Sequence, residues 1–172
     1  WFPLANSGRQ ASYYDPKTKQ FVLIDTCYST HHLQFDNDAN ETLYFNELIG
    51  PIFGWIDTKV YDQTKNEQQA NGWCGQVLDT NGDGKITKPW NQPARGRAVT
   101  GDEDSESARL GKFDAKLDTR IIVGPYGIIV NPLDNSIWGS TDEVEVPGQI
   151  FRIDRGSNPP ETCVTERYML PR

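Results

Sequence analysis

The stretch Gly127-Ile128-Ile129-Val130-Asn131, the turn Pro132-Leu133-Asp134-Asn135, and Ser136-Ile137-Trp138-Gly139-Ser140 decide the fold. An apolar run, a turn rich in Asp and Asn, and a second run carrying an aromatic residue predict an antiparallel hairpin. The same outline recurs upstream. His32-Leu33-Gln34-Phe35-Asp36 leads through the polar residues Asn37 to Glu41 into Thr42-Leu43-Tyr44-Phe45.

A second kind of segment alternates with these hairpins. Gly8-Arg9-Gln10-Ala11-Ser12-Tyr13-Tyr14-Asp15-Pro16 is followed by Lys19-Gln20-Phe21-Val22-Leu23-Ile24. Pro51-Ile52-Phe53-Gly54-Trp55-Ile56-Asp57 and Gly148-Gln149-Ile150-Phe151-Arg152-Ile153-Asp154 have the same form, and the last is followed by Glu166-Arg167-Tyr168-Met169-Leu170. Each is a run of β-formers ending in an Asp that opens a turn. Joined in chain order, hairpin and segment make a four-stranded meander, A-B-C-D, of the kind that repeats in propeller blades. The expected fold is therefore all-β, a partial β-propeller of about two and a half four-stranded blades.

On this reading residues 1–26 hold strands C and D of one blade, and 27–57 hold strands A to C of a second. Residues 58–118 form a long polar insertion, and 119–172 close the second blade and carry the third. The Gln- and Glu-rich stretch Asp62–Ala70 is the one short helix expected. A β-sandwich or irregular β domain complete in these residues is the alternative.

The strand segments resemble the streptogramin-lyase-like (virginiamycin B lyase-like) class of seven-bladed propellers. Ser7-Gly8-Arg9 with Tyr14-Asp15-Pro16-Lys17-Thr18-Lys19, then His31-His32-Leu33-Gln34-Phe35, then Ser136-Ile137-Trp138-Gly139 carry the likeness. The resemblance covers about half of the chain. It implies that this chain holds fewer than half of the blades and does not close a ring alone. It also implies, as one function, a lyase with a His base and a bound divalent metal.

The sequence has 172 residues, 36 % hydrophobic and 11 % aromatic, with a net charge of −7. Binding to nucleic-acid phosphates needs clusters of Lys and Arg, and none occurs. No apolar run approaches the ~20 residues of a membrane-spanning helix. The chain opens Trp1-Phe2-Pro3 without a signal-peptide pattern, which reads as an interior position of a longer precursor. No Ser/His/Asp signature, Gly-rich phosphate loop or dinucleotide fingerprint is found.

The sharpest motif is Asp79-Thr80-Asn81-Gly82-Asp83-Gly84-Lys85-Ile86-Thr87. It matches the first nine positions of a calcium loop. Asp79, Asn81 and Asp83 supply side-chain oxygens at alternate positions, Gly84 allows the sharp turn, Lys85 offers its carbonyl, and Thr87 binds directly or through water. Position twelve is Trp90 instead of Glu, so the loop stands outside an EF-hand pair. The run Asp102, Glu103, Asp104 and Glu106 offers a missing ligand, or is a solvated loop. A plain double turn without metal is the competing reading.

His31 and His32 are the only histidines. They sit where a turn enters strand A, and adjacent strand residues face opposite sides, so at most one faces a propeller channel. They are candidates for a catalytic or metal role, against a packed or exposed structural one. No second His segment occurs. Trp55, Trp73, Trp90 and Trp138 read as packing residues or as a carbohydrate platform. Asn40-Glu41-Thr42 is a glycosylation sequon in a predicted turn.

Three cysteines are present, Cys27, Cys74 and Cys163, none at zinc-finger or haem spacing. On the blade reading Cys74, in the insertion, and Cys163, in the C–D loop of the third blade, share one face. Cys27 ends a strand on the other. A Cys74–Cys163 disulfide is expected, and with it an oxidising, extracytoplasmic compartment, secreted or periplasmic. The function expected is a binding or scaffold module, stabilised by Ca2+, whose partners are the remaining blades of the same protein or other subunits. The alternative is a metal-dependent lyase.

Overall fold

In a computed structural model of the chain, the described residues are 8–47, 52–86, 114–121, 125–141 and 148–171. They are mostly β, in four antiparallel sheets with two short helices. The chain begins with a hairpin of β1 (Arg9–Asp15) and β2 (Gln20–Thr26). A four-stranded sheet follows, made of β3 (Leu33–Phe35), β4 (Thr42–Asn46), β5 (Ile52–Asp57) and β6 (Asn71–Gly75). After the two-residue strands β7 (Val77–Leu78) and β8 (Thr119–Arg120) comes a second four-stranded sheet. It is built from β9 (Gly127–Val130), β10 (Ile137–Ser140), β11 (Gln149–Asp154) and β12 (Val164–Met169). In both larger sheets every strand pairs antiparallel with its neighbour in sequence. Both expected hairpins, at His32–Phe45 and Gly127–Ser140, are present.

The alternation of side chains along β4 and β5 makes the first sheet the middle layer. Tyr44, Phe53 and Trp55 join Val130, Ile137 and Ile153 of the second sheet in one core cluster. Phe45 and Ile56 face the other way and join Ile24 and Tyr28 beside the hairpin. Phe53 is fully buried, and burial of a Phe of this kind stabilises by about 1.5–3 kcal/mol. In a third, smaller cluster Leu78 of β7 packs on Ile121 and Phe151.

The fourth strand of the first sheet lies at Asn71–Gly75, inside the stretch expected to be insertion, and not beyond residue 118. Its sequence, Asn-Gly-Trp-Cys-Gly, has the punctuation of a loop. The reason is packing. Trp55, opposite Gly72 in the register, lays its indole where a Cβ of residue 72 would stand. Glycine there makes room for a ring. Between β5 and β6 run α1 (Thr58–Thr64) and α2 (Glu67–Ala70), two helices where one was expected. The Asp57 carboxylate accepts the Val60 N–H at 2.9 Å and caps α1, and Lys65 ends it with φ 52°. Asn66 then caps α2 by accepting from Gln69. The residual excursion between the sheets starts at Gln76.

Candidate functional site

The segment Asp79–Ile86 leaves β7 and curls around a carboxylate. Asp79 Oδ1 accepts the N–H groups of Gly82 at 2.8 Å and Asp83 at 3.2 Å, and its Oδ2 accepts that of Gly84 at 2.8 Å. Asn81 Oδ1 accepts the Asp83 N–H at 3.0 Å, and Asp83 Oδ1 accepts the Lys85 N–H at 2.9 Å. Short polar side chains bonding N–H groups two to five residues on is what sequences of this type do in tight loops. Gly82 and Gly84 both have φ +74°, a conformation that a residue with a Cβ adopts only with strain.

Both ends of the loop are fastened. Thr80 Oγ1 donates to the Leu117 carbonyl at 2.8 Å and lies 3.1 Å from Thr119 Oγ1. Ile86 donates its N–H to the Glu161 carbonyl at 3.0 Å, in the loop that leads to Cys163. The loop therefore offers two carboxylates and one amide oxygen on a braced backbone. Among the described residues no group of three or more His, Cys, Asp or Glu is gathered to hold a metal. Thr87, Trp90 and the run Asp102, Glu103, Asp104 and Glu106 lie outside the described residues.

His31 and His32 meet at a seam between the two larger sheets. Their rings lie 4.2 Å apart, and His32 stands edge-on to Tyr126 at 4.8 Å. His32 Nδ1 lies 2.6 Å from the Tyr126 carbonyl, so that nitrogen carries the proton and Nε2 is the other ring position. The organiser of this seam is Asn46, fully buried at the end of β4. Its Oδ1 accepts the His32 N–H at 2.7 Å, and its Nδ2 donates to the carbonyls of Pro125 and Tyr126. Sequence reasoning passed over Asn46. The available signal was a polar residue in phase with the inward Tyr44 at the end of an apolar strand.

The disulfide is present. Cys74 and Cys163 are bonded with Cα atoms 5.9 Å apart, and Cys27 is free. Cys74 sits on β6, and the bond joins the edge strand of one larger sheet to the start of β12 in the other. Burial pushes the Cys27 thiol above its ordinary value.

A groove of about 470 Å3 opens between the hairpin and the first sheet. Tyr13, Leu33 and Phe35 line it, with His31, Glu41 and Asp62 as polar members. Of the tryptophans, Trp55 is core, with the Arg155 guanidinium 5.2 Å from its ring. Trp138 stacks on Tyr168 at 6.0 Å and donates from Nε1 to Ser136 Oγ. Trp73 is partly buried beside the hairpin core. Asn40 lies in the exposed turn ahead of β4.

Comparison of the chain with protein-family models, with curated proteins and with solved structures finds no match in any of the three. Among the described residues no helix is long and apolar enough to cross a membrane. Together with the disulfide, this is compatible with an extracytoplasmic protein.

Proposed function

We propose that the chain is a section of an extracytoplasmic β-propeller that acts as a binding or scaffold module, with Ca2+ bound in the Asp79–Thr87 loop. One observation carries this reading. Two four-stranded meanders follow each other in chain order and pack face to face, with their first strands β3 and β9 in contact and a half-sheet hairpin on the far face. Propeller blades stack in this manner around an axis lined by their first strands. In this reading the His31–His32 pair and Asn46 serve the seam between neighbouring blades. The resemblance of the strand segments to the streptogramin-lyase-like class points the same way.

Calcium has a defined task here. The loop is fastened to β8 through Thr80 and to the β11–β12 loop through Ile86. A cation that fixes Asp79, Asn81 and Asp83 would lock the excursion onto the second sheet beside the disulfide. The remaining blades, from the same protein or from other subunits, complete the module. Electron microscopy of the whole native protein tests the reading, which expects radial four-stranded sheets in a ring. A particle in which the two sheets form a closed sandwich with no further sheet would sink it.

A further inference from the structure

The groove between the hairpin and the first sheet has the dimensions of a small-molecule site. Its volume of about 470 Å3 falls in the usual span of such sites, roughly 300–1,000 Å3. Five of its lining residues, Ala11, Ile24, Leu43, Phe45 and Ile56, also belong to the core between hairpin and sheet, so packing fixes that part of the wall. Leu33 and Phe35 of β3 line it as well and are 57 % and 53 % exposed. Exposed apolar side chains with polar ones around them mark a surface that takes a ligand.

Charge says what kind of ligand. Glu41 and Asp62 line the groove, and among the described residues no Lys or Arg does. Two lysines reach the same carboxylates from outside the lining. Lys59 Nζ lies 3.1 Å from Glu41 Oε1 and also donates to the Ala39 carbonyl at 2.8 Å. Lys65 Nζ lies 3.0 Å from Asp62 Oδ1 and 4.9 Å from the centre of the ring of Tyr61, another lining residue. An ammonium group held by a carboxylate and an aromatic ring is how proteins receive organic cations. Unlike Lys59, Lys65 has no backbone acceptor for its ammonium among the described residues. Both members of its pair with Asp62 are solvent-exposed, where an ion pair is worth little, so another cation can take its place.

We propose that the groove binds a small organic cation. Its apolar body lies against Leu33 and Phe35, and its ammonium head sits at Asp62 and Tyr61, where Lys65 stands in the free protein. Lys65 is then a tethered competitor, displaced by a ligand whose apolar body adds contacts that a lysine stem cannot make. This site goes beyond the propeller reading, because the hairpin, the first sheet and α1 build it without any further sheet.

The test is calorimetry on the intact protein with benzyltrimethylammonium, an aromatic ring carrying a quaternary ammonium. Tetramethylammonium supplies the head without the body, and benzoate reverses the charge. Benzyltrimethylammonium is expected to bind more tightly than either. Asp62→Asn should weaken its binding about two- to fivefold, the size of one cation contact at an exposed site. Lys65→Met keeps an unbranched side chain and removes the competing charge, so it should tighten binding. Lys17→Met, in the β1–β2 turn, changes the net charge equally and should have no effect. All three positions are exposed, so the variants keep the fold. Absence of binding at tens of millimolar probe would overturn the proposal. So would benzoate bound as tightly as the cation, or a Lys65→Met variant that binds no better than Lys17→Met. A particle without a ring defeats the propeller reading and leaves these titrations unchanged.

Discussion

The ring of Tyr28 lies directly over the α-carbon of Gly54, where a Cβ would overlap it. Tyr28 is 1 % exposed, and its hydroxyl shares a proton between the Trp55 carbonyl at 2.7 Å and Asn71 Oδ1 at 2.8 Å. Burial raises its phenol well above the ordinary value, so it stays a neutral donor. The linker after the hairpin is thereby pinned to β5 and β6 at once. Gly54→Ala forces a methyl group into an aromatic ring in a close-packed layer, which costs about 1–3 kcal/mol. Tyr28→Phe leaves two buried acceptors short of a donor and costs a similar 1–3 kcal/mol. Urea unfolding midpoints read both. A Gly54→Ala variant as stable as the parent would show that the ring does not sit there.

The Cys74–Cys163 bond closes a loop with a sequence separation of 89. In the chain-entropy account a loop of that length is worth roughly 4–5 kcal/mol against the unfolded chain. The double variant Cys74→Ser/Cys163→Ser should therefore lose a large part of a typical domain's stability. The loss should fall first on the join between the two larger sheets, since the bond links their edges. Proteolysis of the reduced protein is expected to release fragments cut between Gly75 and Gly127. Unchanged resistance after reduction would refute this assignment of the bond's role.

What the sequence revealed, and what it hid, follows from where packing overrides local pattern. The hairpins at His32–Phe45 and Gly127–Ser140 were legible because β-formers and Asp/Asn turns act over a few residues. The disulfide pairing was legible from the meander. The placement of Cys74 was not, because β6 reads as a glycine-punctuated loop and its Gly72 makes room for the ring of Trp55, a contact 17 residues away in the chain and invisible to local reading. Asn46 was hidden for a related reason. A buried Asn earns its place through four partners from distant segments, and no spacing rule announces them. The turn at Asp79–Lys85 was legible because the bonds accepted by Asp79, Asn81 and Asp83 all run within five residues, whereas the bonds that fasten it to Leu117 and Glu161 were not.

Asp134, in the β9–β10 turn, has its carboxyl lowered to about 2. The Ser136 hydroxyl and N–H both donate to it, and Arg152 pairs with it at 3.1 Å. A carboxyl whose folded value lies below its unfolded one, 3.8, stabilises the fold above about pH 4. That contribution fades as pH falls from there toward 2, because protonation removes the acceptor. Asp134→Asn should flatten the acid limb of the stability curve in that window by lowering stability above about pH 4, neutral pH included, while matching the parent near pH 2; the loss is small because the group is solvent-exposed and its ion pair is screened. Thermal midpoints between pH 2 and pH 5 are the measurement. Identical acid limbs for parent and variant would show that the turn carries no protonation-linked stability.

Calcium is the prediction with the most consequence. Asp83 contributes a charge to the loop and also accepts the Lys85 N–H through Oδ1. Asp83→Asn keeps an acceptor oxygen for that N–H and removes only the anionic ligand, so the loop should fold as before while binding calcium more weakly. Gly84→Ala does the reverse. It leaves every ligand in place but strains a backbone held at φ +74°, and it should destabilise the loop even without metal. Isothermal calorimetry on the intact protein should show binding with Kd between about 10−7 and 10−3 M, the span of sensor loops and extracellular modules. A ligand at 100 times its Kd adds about 2.7 kcal/mol to stability, so the thermal midpoint should rise with calcium and fall back on chelation. Asp83→Asn should shrink that rise, and it should leave the midpoint in chelator unchanged. Absence of heat and of any thermal shift at calcium near 10 mM, above the weakest Kd in that span, would reduce Asp79–Ile86 to a hydrogen-bonded double turn.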